Sequence, residues 1–101
     1  MTLDFFVKNY NLSDFDVKKI YVENNKLYII ADYNVYLELI ANGYRPEMNM
    51  DVEKTFIFNT VDANNHRFKA PFKLNIIEFN EILTIKINDI ILKIHGDVEI
   101  K

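Results

Sequence analysis

Apolar and polar residues alternate with period two along most of the chain, and two stretches match themselves when folded back. In VKKIYVENNKLYIIADY, a turn at Asn24-Asn25 sets Glu23 opposite Lys26, Val22 opposite Leu27, Tyr21 opposite Tyr28 and Ile20 opposite Ile29. Charge, aliphatic and aromatic partners agree together, and asparagine tolerates the positive φ that a two-residue hairpin turn requires. In LTIKINDIILKIHGDVEIK, a turn at Asn88-Asp89 pairs Ile87 with Ile90, Ile85 with Leu92 and Leu83 with Ile94 on one aliphatic face. The opposite face pairs Lys86 with Ile91, Thr84 with Lys93 and Ile82 with His95. A further turn at Gly96-Asp97 would set Ile94 against Glu99, so the pattern favours one long strand to the terminus. Ile90, Leu92, Ile94, Gly96, Val98 and Ile100 would then share the core face, and Lys93, His95, Asp97, Glu99 and Lys101 the outer one.

Other segments follow with less internal redundancy. Leu3, Phe6, Val7 and Tyr10 recur with helical spacing behind Thr2, which predicts a short N-terminal helix. TFIFNTV, from Thr55 to Val61, is a strand by its β-branched and aromatic content. NVYLELIANGYRP suits either a strand, with Val35, Leu37, Leu39 and Ala41 on one face, or a helix running from Asn34 to Gly43; the period-two neighbours favour the strand. HRFKAPFKL interleaves His66, Arg67, Lys69 and Lys73 with Phe68 and Phe72, a composition that could stack on bases. Its parity puts Phe68, Ala70, Phe72 and Leu74 on one face, however, and Lys with Pro on the other is how an edge strand resists aggregation. The edge strand is preferred and nucleic acid is not the expected partner. The fold expected is mainly β: one domain spanning residues 1–101, an antiparallel sandwich or strongly bent sheet of about seven or eight strands.

Composition narrows the function classes. The 101 residues are 50% hydrophobic with two glycines and two prolines, enough to build a single core. There is no cysteine, which excludes a disulfide framework, a thiol nucleophile and a Cys-type zinc site, and points to a cytoplasmic setting. MTLDFFVKNYN lacks the pattern of a signal peptide, and no apolar run approaches the ~18 residues of a membrane helix. A net charge of −3 weighs against a phosphate-backbone partner.

Catalytic constellations are thin. Ser13 is the only serine, and glycines at 43 and 96 alone cannot build a nucleophile elbow or a phosphate-cradling loop. His95, Asp97 and Glu99 form a stripe with ~7 Å steps along a strand, wider than adjacent ligands of one ion usually need, so a solvated face is expected and no metal or other cofactor. Asp62 and His66 flank a turn at Asn64-Asn65. Glu81 would fall on the aliphatic face opposite Gly96, requiring either a bulge or a carboxylate in a small cleft floored by the glycine. An enzyme is therefore not expected.

The segment ANGYRPEMNMDVEK, between expected strands, gathers Tyr44, Arg45, Met48 and Met50, residue types enriched at interfaces. These are the candidate partner-binding residues. Both faces of the first hairpin are partly apolar, with Tyr21, Tyr28 and Ile30 behind Ile20, Val22, Leu27 and Ile29, which admits a structural homo-oligomer as the alternative. FDVKKIYVENNKLYIIADY followed by VYLELI and TFIFNTVD resembles small mainly-β bacterial domains that include toxin-immunity proteins, over roughly residues 12 to 62. Those families open with a His-Asp pair where Phe15-Asp16 stands here, so no functional residue is carried over. What the resemblance implies is an intracellular protein-binding module, an inhibitor and not a catalyst.

Overall fold

The computed structural model describes residues 1–34 and 51–101. Among these residues eight strands form two antiparallel sheets that face each other across one core. β1 (Asp16–Glu23), β2 (Lys26–Asn34), β3 (Asp51–Asn59), β4 (His66–Arg67) and β8 (Val98–Ile100) build the larger sheet in the order β4-β1-β2-β3-β8. β5 (Leu74–Asn80), β6 (Ile82–Ile87) and β7 (Ile90–Ile94) build the smaller, in the order β5-β6-β7. The mainly-β fold with a short helix is as the alternation predicts. Of the strand or helix expected over residues 34–43 only Asn34, the last residue of β2, is described; residues 35–43 and Tyr44, Arg45, Met48 and Met50 lie outside the described residues. The connection expected up to residue 54 is shorter on its far side, because β3 begins at Asp51 and pairs residue for residue with β2.

Both hairpins form in the predicted register. Glu23 faces Lys26 and Tyr21 faces Tyr28, and Asn24 and Asn25 take φ of 52° and 60°. The turn is held from outside by Asn65, whose Oδ1 accepts from the Asn24 amide at 3.1 Å. In the second hairpin Ile87 faces Ile90, Ile85 faces Leu92 and Leu83 faces Ile94. Its turn residue Asn88 ties down the preceding connection: Oδ1 accepts from the Lys73 amide and Nδ2 donates to the Lys69 carbonyl.

Helix α1 (Leu3–Asn9) starts where Thr2 Oγ1 accepts from the Phe5 amide. It delivers Phe6, wholly buried, into an aromatic cluster against Tyr10, Phe15, Phe56 and Phe58, with ring centroids 5.1–6.4 Å apart. Phe15 and Phe56 stack at 4.5 Å. Ile20, Val22, Leu27 and Ile29 of the larger sheet and Leu83, Ile85, Ile87, Leu92 and Ile94 of the smaller complete the core.

The expected long C-terminal strand is corrected. β7 ends at Ile94, the chain crosses between sheets through His95, Gly96 and Asp97, and β8 joins the larger sheet beside β3. Ile82 therefore does not pair with His95, whose amide donates to the Thr60 carbonyl instead. The end of β3 makes the reverse crossing, since Val61 bridges Ile94 and the Asp62 amide donates to Lys93. At the corner Gly96 and Asp97 both oppose Asn59: the Gly96 amide donates to the Asn59 carbonyl, and the Asn59 amide donates to the Asp97 carbonyl. A Cβ on Gly96 would stand 2.6 Å from the Asn59 oxygen. The alternation of faces nonetheless survives, with Leu92, Ile94 and Val98 buried and Lys93, His95, Asp97 and Glu99 exposed.

Two further expectations change. Glu81 does not face the core; Asn80 pairs directly with Ile82, and Glu81 alone makes the turn with φ 65°, its side chain exposed. No cleft forms over Gly96, because the Asn59 backbone occupies that space. HRFKAPFKL is an edge strand for only two residues, His66 and Arg67. Phe68 is buried and Phe72 half-buried, which withdraws them from any stacking platform, while Ala70 is exposed.

Adding a side chain at the corner should therefore be expensive and removing the histidine beside it cheap. Gly96→Val should cost about 1–3 kcal/mol in urea unfolding, because a backbone carbonyl cannot rotate away as a side chain would. His95→Gln should cost no more than about 0.5 kcal/mol, since the position is exposed and glutamine can still donate a hydrogen bond. A negligible loss from Gly96→Val would remove the corner as described.

Candidate functional site

The outward face of the larger sheet carries the richest arrangement of interaction-prone side chains. Cross-strand pairing places Arg67 opposite Tyr21, Tyr21 opposite Tyr28, Tyr28 opposite Ile57 and Ile57 opposite Glu99, so one row crosses all five strands. Period-two alternation sends Ile20, Val22, Leu27 and Ile29 inward and leaves the tyrosines on the other side. The two rings stack at 4.7 Å with an interplanar angle of 8°, and both remain half-buried. Lys19 Nζ lies 5.2 Å and Arg67 Cζ 5.9 Å from the Tyr21 ring centroid, within cation–π range. The next row down pairs Lys19, Ile30 and Thr55. Beside Tyr21 and Arg67 a shallow depression of about 320 Å³ reaches Glu23, Asn65 and His66.

Toward the other end of the same face the charge reverses. Asp16 faces Asp32 and Asp32 faces Glu53, three acids in one row. The register shift between Val17 and Lys19 leaves Lys18 as an extra residue in β1, with Nζ 3.2 Å from Asp32 Oδ2. Its ammonium is held above the ordinary lysine value by the hydrogen bond and charge of Asp32, with Asp16 and Glu53 adding attraction and partial desolvation opposing.

His95 finds a partner that the strand pattern does not supply. Its Nε2 is 2.7 Å from Asp62 Oδ2, across the corner, whereas Asp97 and Glu99 continue along the chain into the larger sheet. Thr60, between these crossings, has φ 59°, uncommon for a β-branched residue. The His66 ring packs instead edge-on against Phe68 at 4.7 Å. Among the described residues no three histidines, aspartates or glutamates converge closely enough to share a metal ion.

The hairpin register read from the sequence already joins Tyr21 to Tyr28. What it misses is Arg67, which reaches Tyr21 only because a two-residue strand docks on β1 from 44 residues further along. Among the described residues no helix is long and apolar enough to cross a membrane. No family model, curated protein or solved structure matches the chain.

The Lys18 pairing has a definite pH signature. A raised lysine pKa contributes stability below the unfolded value of 10.5 and loses it as pH rises through the folded value. Lys18→Met should thus lower stability slightly and uniformly across neutral pH, and the difference from the native chain should close above pH 10.5 and in high salt. Thermal melts across pH check this; a difference that grows at alkaline pH contradicts it.

Proposed function

We propose that the protein is a small binding module that acts by covering the surface of a protein partner and not by catalysis. The observation that carries this reading is the row Arg67–Tyr21–Tyr28 on the outward face of the larger sheet, which runs on to the buried Ile57. Tyrosine and arginine supply most hot spots at protein interfaces, because each offers a large, rigid contact area with a polar tip. Here stacking and strand pairing fix both rings before any partner arrives, which reduces the entropy lost on binding. The mixed charge of the face, with Lys19 and Arg67 near the tyrosines and Asp16, Asp32 and Glu53 beyond them, suits a partner of complementary pattern more than a uniformly anionic polymer. Tyr44, Arg45, Met48 and Met50, on the chain between β2 and β3, belong to the same reading. A cytoplasmic inhibitor or immunity-type role is the form that the resemblance to small bacterial domains implies.

Affinity capture with the immobilised chain as bait tests the face. A protein retained by the native chain should be lost when Arg67→Glu, or Arg67→Glu with Tyr28→Ser, is the bait, and titration of the purified pair should weaken roughly tenfold or more. Arg67 is exposed, so that variant should keep the native melting temperature. Equal retention by native and variant baits would end this assignment of the face.

A further inference from the structure

The smaller sheet ends in a strand whose edge and sequence fit a second copy of itself. Among the described residues the other strand edges are covered or blunted except along Ile90, Ile91 and Leu92 of β7. On the far side of β7 the Asp62 amide donates to the Lys93 carbonyl and Val61 stands opposite Ile94, and Met1 exchanges two hydrogen bonds with Val98 on the far side of β8. β4 is two residues long, and the part of β1 beyond it carries a bulge with Asp16, Lys18 and Lys19. Among the described residues no strand pairs with the outer edge of β5, which has seven residues, neither lysine nor proline, and one charge, Glu78. Ile76 is 36% and Ile77 54% exposed, and Leu74 and Phe79 are only partly buried against the core.

The order of residues in β5 is palindromic in character. From Leu74 to Phe79 it reads apolar, polar, Ile, Ile, polar, apolar. A two-fold axis between Ile76 and Ile77 would set Leu74 against Phe79, Asn75 against Glu78 and Ile76 against Ile77 of the other copy. In a regular strand this register fails, because residues five apart point to opposite faces. The register shift between Ile76 and Glu78 removes that obstacle. Leu74 and Phe79 both sit beside fully buried partners, Ile87 and Leu83, whereas Asn75 and Glu78 sit beside Lys86 and Thr84 on the other face. Like faces like on both sides. A dyad through Glu78 would instead bring two carboxylates together.

We propose that two copies of the chain associate by antiparallel pairing of β5 with β5 about a dyad between Ile76 and Ile77, joining the two smaller sheets into one six-stranded sheet. Each copy covers the other's isoleucines, an isologous contact that closes on itself. The tyrosine face of the larger sheet takes no part, so this association and the partner binding proposed above can fail independently.

Sedimentation velocity of the full chain from micromolar to high-micromolar concentration tests it, with circular dichroism to show that each variant is folded. The native chain should shift with concentration from 12.0 kDa to twice that mass. Ile77→Lys should leave only monomer. Asn75→Glu sets like charges opposite each other twice per dimer and should weaken association by roughly tenfold, and adding Glu78→Lys to the same chain should restore it. A native chain that stays monomeric overturns the proposal, as does a dimer that persists in both Ile77→Lys and Asn75→Glu. Failure of Glu78→Lys to rescue overturns the register.

Discussion

The approach of Gly96 to the carbonyl of Asn59 is the constraint on which the arrangement of the two sheets depends. Two chain segments, one leaving β3 and one leaving β7, cross between the sheets in opposite directions and stay hydrogen-bonded to each other as they do so. Two residues opposing one is a bulge, and a bulge bends a ladder sharply enough to carry it from one sheet to the next. The bend brings backbone so close to backbone that a Cβ has no room. The Asn59 side chain reinforces the same point, donating to the Asp97 carbonyl at 3.1 Å. His95 and Asp62 add a side-chain clasp on the exposed side.

With the corner set, the unequal sizes of the sheets shape the surface. Five strands face three, and α1 adds Phe6 to the core with an aromatic cluster. Among the described residues some aromatic and aliphatic side chains lie outside this apolar interior. Two such groups are the half-buried tyrosine row behind the hairpin of β1 and β2 and the exposed isoleucines along β5, while Phe5, Ile82, Ile90 and Ile91 are exposed elsewhere. The interaction surfaces proposed above rest on the first two because the same alternation that builds the core leaves them outside it.

Local pairing was legible in the sequence and distant pairing was not. The registers at Asn24-Asn25 and Asn88-Asp89 follow from matching neighbours across two-residue turns, where a one-residue slip would invert every side chain. The capped N-terminal helix was legible for a similar reason, its apolar spacing following Thr2 directly. The corner was half legible. Parity along Leu92, Ile94 and Val98 gives the correct faces, but alternation does not distinguish a straight strand from one that bends and changes sheet. Glu81 was misplaced by the same extrapolation, since a one-residue turn with positive φ at a glutamate has no sequence signature. Within the candidate surfaces, Tyr21 with Tyr28 could be read directly. Arg67 beside Tyr21, and Asp62 beside His95, depend on contacts between residues more than thirty positions apart.

Residue-resolved amide hydrogen exchange tests the corner most directly. The amides of Asn59, Asp62, His95 and Gly96 all donate to backbone carbonyls where the sheets meet. If the corner locks the sheets together, these amides should open only with the whole molecule, at the same free energy as those of Ile29 and Ile85 in the core strands. Rapid exchange at the four corner amides while Ile29 and Ile85 stay protected would show instead that the sheets hold together through their apolar faces alone and that the crossing is incidental.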